Sequence, residues 1–143
     1  RLVGHVLASF MNSGPGDHHI MALIESTHPG LHHSSWEVPN ADQIVAGSTK
    51  MAEAGYELHW GLGRHTVGSN MFTYILDPWG SWAEYTCDMD QVTDDWVSQD
   101  QAAPPHIWAA TPPPPEFVQN HEPKTEAKKS GGSFWKRALG GAA

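Results

Sequence analysis

The chain has 143 residues, 39% of them hydrophobic and seven of them Trp, enough apolar mass to fill the core of one domain of about 100–200 residues. Sixteen acidic against eight basic side chains give a formal charge of −8, which argues against nucleic acid as a partner, and no apolar run approaches the ~20 residues needed to span a bilayer, which argues against a membrane. The single cysteine, Cys87, excludes an internal disulfide and, with no charged-then-apolar leader in the first residues, makes a cytoplasmic location the expectation.

Taken in order, residues 2–12 read as a strand and Ser13-Gly14-Pro15-Gly16 as a turn. A second strand is expected from His19 to Ile24, followed by a loop from Glu25 to Gly30. Leu31 to Val38 forms a third strand whose alternation sets His33, Ser35 and Glu37 on one face and His32, Ser34 and Trp36 on the other. Only one of His32 and His33 would then face inward. Pro39-Asn40 breaks the strand, and Asn40 with Gln43 resembles a capping box for a helix from Ala41 to Ala54, stopped by Gly55. Ile44, Ser48, Met51 and Ala52 share one face of that helix, which should cover the sheet. The next strand runs from Tyr56 to Leu62 and leads through Arg64-His65 into a hairpin.

The hairpin pairs Met71 to Leu76 with Ser81 to Thr86 across the turn Asp77-Pro78-Trp79-Gly80. Phe72, Tyr74 and Leu76 share one face of its first strand; Trp82, Glu84 and Thr86 share one face of the second. A carboxylate among large aromatics is costly to bury alone, so Glu84 needs a cation, either a metal ion or the guanidinium of Arg64. The order from Leu31 to Thr86 is β-α-β-β-β, preceded by two strands without a helix.

Beyond Asp90 the chain turns Pro-rich, and residues 91–121 are expected to wrap over the surface in extended form, anchored by Trp96, Ile107, Trp108 and Phe117. Residues 122–143 are basic and expected to be disordered. Ten histidines stand out, and His18, His19, His28, His32, His33, His59 and His65 lie within 48 positions. Interspersed rather than contiguous, they point to metal or acid–base chemistry. His5, His28, His59, His106 and His121 are read as structural or exposed.

Together HHIMAL (His18 to Leu23), LHH (Leu31 to His33), GRH (Gly63 to His65), the strand holding Tyr74, DPWGS (Asp77 to Ser81) and EY (Glu84-Tyr85) resemble a type I extradiol ring-cleavage dioxygenase of the vicinal oxygen chelate superfamily, over about residues 1–120. The intervals separating His18, His33, His65, Tyr74 and Glu84 are 15, 32, 9 and 10 residues and agree with that family's pattern. The resemblance implies an α+β fold: a βαβββ metal-binding module over 28–90, plus the last two strands of a preceding module over 1–27, in a half-open barrel. It implies His33 and Glu84 as metal ligands, His18 beside the bound oxygen, His65 in proton handling, and Tyr74 hydrogen-bonded to a substrate hydroxyl. The implied cofactor is Fe(II), with Mn(II) an acceptable substitute, and the implied partners are a catecholic substrate, O2 and further copies of the chain. Two imidazoles and one carboxylate on one face of such an ion leave open positions opposite.

The family's third ligand is a His on the first strand of the earlier module, expected upstream of residue 1; His5 lies too close to His18 to take that place without a rearranged site. A segment of a longer protein, a half-barrel completed by dimerisation, or an inactive remnant would each account for this. Two other functions compete with ring cleavage: a glyoxalase-like metal-dependent isomerase or hydrolase, and a non-catalytic binding module. Trp36, Trp60, Trp79 and Trp82 could shape an apolar pocket for a substituted ring or simply pack the core.

Overall fold

The turn at Asp77 shows why the central hairpin forms where it does. The Asp77 side chain accepts hydrogen bonds from the backbone N–H of Trp79 and of Ser81, at 2.8 and 2.9 Å, and Gly80 supplies the left-handed φ of +88° that the turn requires. In this computed structural model, which describes residues 8–26 and 29–118, the turn joins two antiparallel strands, β6 (Met71–Leu76) and β7 (Trp82–Cys87). Their register pairs Phe72 with Thr86, Tyr74 with Glu84 and Leu76 with Trp82, so the expected faces meet.

The remaining elements build outward from this hairpin. Strand β4 (His33–Glu37) runs parallel to β7, and the connection between β4 and β5 (Leu58–His65) is the helix α1 (Ala41–Glu53). The Asn40 side chain accepts the backbone N–H of Gln43 at 3.0 Å, and Gly55 ends the helix at φ +85°. Ile44 and Ser48 are buried against the sheet. A side chain at Gly47 would have to displace the Tyr85 ring, because a Cβ would lie 2.8 Å from it. Strand β5 pairs with β6, so the expected β-α-β-β-β order is present as β4-α1-β5-β6-β7.

The C-terminal stretch differs from expectation. His106–Ala109 form a strand, β9, that adds to β5 and makes the five-stranded order β4-β7-β6-β5-β9. No Pro lies within those four residues, so their backbone is free to pair at the sheet edge, where the surrounding prolines do not interfere. A single turn of helix, α2 (Pro115–Val118), follows. Of the expected anchors, Phe117 packs on the core, whereas Ile107 and Trp108 remain exposed. The tail from 122, together with His5, His28 and His121, lies outside the described residues.

Before the unit stand β1 (Ala8–Met11) and β3 (Met21–Ile24), paired antiparallel as a ribbon. Residues 2–7 of the strand expected over 2–12 lie outside the described residues, and the strand expected from His19 begins at Met21. Between β1 and β3, a short β2 (Gly16–Asp17) pairs with β8 (Gln91–Val92), and the His18 N–H donates to the Asp90 carbonyl at 2.8 Å. These bonds tie the region around His18 to the end of the hairpin. The described sheets form no closed barrel, and no described helix is long and apolar enough to cross a membrane.

The sheet has two different faces. Ile75 and Tyr85 turn toward α1, whereas Trp60, Phe72, Tyr74 and Trp82 form a buried aromatic cluster with Phe117 packed against it. Glu84, 3% exposed, belongs to this second face by its register with Tyr74.

Candidate metal and acid–base site

Four elements converge on Glu84. β7 carries the carboxylate, β6 presents Tyr74 directly opposite, β5 ends at His65, and β4 begins at His33. His33 Nε2 lies 3.4 Å from Glu84 Oε2, and His65 Nε2 lies 3.4 Å from Glu84 Oε1. Asn70, 2% exposed, donates its amide to Glu84 Oε1 at 3.4 Å and to Thr86 Oγ1 at 2.7 Å. The competing Arg64 turns elsewhere: its guanidinium reaches Asp88 at 2.7 Å and the Ser69 carbonyl. A buried carboxylate thus sits between two imidazoles, a phenol and an amide.

The protonation pattern follows from the partners. Burial takes the His33 pKa down to about 4, against the opposing pull of Glu84, so the ring is neutral at neutral pH and keeps a lone pair. Burial, with the Glu84 carboxylate next to it, holds the Tyr74 phenol well above its ordinary range, so it remains an O–H donor. His65 Nδ1 faces the Pro105 carbonyl at 3.0 Å, and a carbonyl only accepts. In the neutral ring the proton therefore sits on Nδ1, and Nε2 accepts from the Tyr74 hydroxyl at 3.0 Å. That leaves His65 Nε2 as a base beside a phenol.

The structure brings His33, His65, Tyr74 and Glu84 together. His18 sits differently: its ring stands edge-on to Trp96 at 5.3 Å, and its Nδ1 lies 3.1 Å from His19 Nδ1. His19 is within electrostatic reach of Glu84, His33 and His65, and burial followed by the His18 ring lowers its pKa. Both residues precede β3, so strand alternation does not separate them. The same reason revises the reading of His32. It precedes the first residue of β4 and is not turned away; its ring packs on Trp82 at 4.9 Å and Phe117 at 4.8 Å, and its Nδ1 lies 2.6 Å from His33 Nδ1.

Sequence reasoning also missed the cover. Phe117 stands 4.6 Å from both Tyr74 and Trp60, 5.1 Å from Trp82, and lies nearly parallel to His33. Its anchoring role was legible as an aromatic in a Pro-rich stretch; its position over the site was not. Of the four Trp, Trp60 and Trp82 belong to the core, while Trp36 and Trp79 are 63% and 73% exposed. His59 accepts the indole N–H of Trp82 at 2.7 Å, the structural role expected of it.

His33 and Glu84 offer one neutral imidazole and one buried carboxylate, on which no Lys or Arg rests among the described residues, and this pair suits a divalent cation. Among the described residues no group of three His, Cys, Asp or Glu could hold a metal ion, so the fit is partial: two protein donors of the right chemistry.

Residues 3–85 match the family model described as the Glyoxalase/Bleomycin resistance protein/Dioxygenase superfamily. Metapyrocatechase 2 of Cupriavidus necator is 44% identical over 109 residues, covering 74% of this chain; the alignment spans only 34% of that relative, so the chain accounts for about a third of its length. Among solved structures, a Mn(II)-bound glyoxalase from Novosphingobium aromaticivorans aligns with a TM-score of 0.70 at 26% identity, over 82% of this chain and 40% of that one. A halotolerant catechol dioxygenase aligns with a TM-score of 0.65 at 24% identity, over 77% and 37%, a likeness of fold. By a family model matching more than half its length, the chain belongs to the Glyoxalase/Bleomycin resistance protein/Dioxygenase superfamily.

Proposed function

We propose that the chain is the catalytic part of an extradiol dioxygenase, which opens a catecholic ring beside its diol with both atoms of O2. The observation that carries this reading is the convergence of His33, His65 and Tyr74 on Glu84. The 44% identical relative called metapyrocatechase supports it. His33 and Glu84 would hold a divalent metal, Fe(II) or Mn(II); bound there, such an ion supplies positive charge and open positions for small oxygen ligands. In this reading a third His comes from a preceding βαβββ module of which residues 8–26 are the end, residues 29–90 are the metal-binding module, and the stretch beyond it is a surface cover.

The chain's own groups then have distinct tasks. Once a substrate oxygen takes over the Tyr74 O–H, His65 Nε2 is released to take a proton from a diol hydroxyl and can return it. Tyr74 keeps its proton and fixes a substrate oxygen by donating to it. His18, tethered to Asp90, lines the approach together with His19. Trp60, Trp82 and Phe117 exclude water from the space beside these groups. The glyoxalase-like alternative shares the metal ligands but has no use for the His65–Tyr74 pair.

The test is to add Fe(II) and a panel of catechols in air and to follow coloured ring-fission product together with O2 uptake. Product without O2 consumption would point to the glyoxalase-like reading; absence of metal binding would point to a binding module. His65→Ala is expected to lower turnover about 10²–10⁴-fold with metal still bound. Glu84→Ala is expected to lose the metal, measured by titration calorimetry. Equal metal loss in both variants would refute this division of roles.

A further inference from the structure

We infer that Asn70 is a positioning residue for Glu84: its side-chain amide holds one carboxylate oxygen, so that the other stays turned to His33. The effect on metal binding rests on the reading above, in which Glu84 is a ligand; the hydrogen bonds that fix the amide do not.

The relay starts on β6. The Met71 carbonyl can only accept, so the Thr86 hydroxyl, 3.0 Å away, donates to it. A hydroxyl has one proton, and toward Asn70, at 2.7 Å, Thr86 Oγ1 is then an acceptor. The Asn70 atom facing it is therefore the amide nitrogen, which also faces Glu84 Oε1 at 3.4 Å. A flipped amide would draw the Thr86 proton away from Met71 and set Oδ1 against Glu84. The same orientation holds whatever the charge on Glu84 or on the neighbouring imidazoles. With Oε1 engaged in this way, Oε2 is the oxygen that lies 3.4 Å from His33 Nε2.

Asn70 is itself held through its main chain. The His65 N–H donates to the Asn70 carbonyl at 2.9 Å, and between them Gly68 and Ser69, with φ of +79° and +54°, reverse the backbone ahead of β6. The Arg64 guanidinium reaches the Ser69 carbonyl and braces that reversal. One residue thus meets His65 through its backbone and Glu84 through its side chain. Its burial is costly: Asn70 is 2% exposed, and Oδ1 has no hydrogen-bond partner among the described residues. An apolar side chain of similar volume would not incur that penalty, which singles out the amide N–H groups as what the position uses. A donor that orients a ligating carboxylate is one of the groups that set metal affinity.

The test is Mn(II) titration calorimetry on the full chain, combined with a double-mutant cycle in denaturant unfolding without metal. Asn70→Ala and Asn70→Leu are each expected to weaken Mn(II) binding about 10–100-fold, although Leu refills the volume that Ala leaves empty. In the metal-free cycle, Asn70→Leu and Glu84→Met both keep volume and remove the hydrogen bond. Their effects on the unfolding constant are expected to be non-additive by about threefold or more, the double variant losing less than the two single losses combined. Unchanged Mn(II) affinity in both Asn70 variants would overturn the inference, as would effects that add to within about twofold. Affinity recovered in Asn70→Leu but not in Asn70→Ala would assign the effect to packing and overturn it too. Should wild type bind no Mn(II) while the cycle shows the coupling, the positioning role stands and the assignment of Glu84 as a ligand falls.

Discussion

The β6–β7 hairpin and the β1–β3 ribbon are both antiparallel pairs of apolar strands, and they end in opposite states. In the hairpin Phe72, Tyr74, Ile75 and Trp82 are at most 5% exposed; in the ribbon Met21, Leu23 and Ile24 are 54%, 61% and 48% exposed. Strand chemistry does not separate them, since both have the side-chain types that favour pairing. Layers do. The hairpin has α1 on one face and the Trp60–Phe117 cluster on the other, whereas among the described residues the ribbon has no packed layer. A two-stranded sheet alone is marginal in water, so its neighbours decide whether its apolar residues contribute to stability.

Substitutions can break or sharpen this contrast. The largest effect is expected from Trp60→Ala, which removes the ring packed on Phe72, Tyr74 and Phe117 and should cost about 3–5 kcal/mol in denaturant unfolding. A cost below about 1 kcal/mol would mean that the aromatic layer is not what holds the hairpin. Asn40→Ala tests the other layer: losing the bond to the Gln43 N–H should lower the melting temperature by the equivalent of about 1 kcal/mol, with Asn40→Ser close to neutral. The smallest effect is expected for Leu23→Ser on the ribbon, within about 0.5 kcal/mol. If that change instead destabilised the chain by more than about 1 kcal/mol, the ribbon would be covered in solution and the contrast would disappear.

Much of the site was legible because its signals are local. The Asp77-to-Gly80 turn sets the register that places Tyr74 across from Glu84, and Asn40 marks where α1 starts. The burial of Glu84 among aromatics was legible as well, but Arg64 could be set aside as its partner only once the contact with Asp88 was seen. Other features depend on contacts between distant residues. β9 pairs with β5 across some forty positions, and no local pattern announces which Pro-flanked tetrapeptide will do so. His32 was misread because alternation was extended one residue beyond the strand; outside β4 the backbone no longer alternates, and both imidazoles turn inward. The pair His18 and His19 carries the same ambiguity, since the strand begins only at Met21.

The parallel pairing of β4 with β7 also bears on the order in which the site can assemble. Tyr74 and Glu84 are brought together by a short turn, a closure of low entropic cost. His33 reaches them only after a crossover containing α1, β5 and the whole hairpin has been organised. Contacts of such sequence separation are slow to form. Of these groups His33 thus carries the largest loop-closure cost, and a cation held by both His33 and Glu84 would recognise only the completed module. By linkage such a cation would stabilise that state alone, and its affinity and the cooperativity of folding would then be measured together.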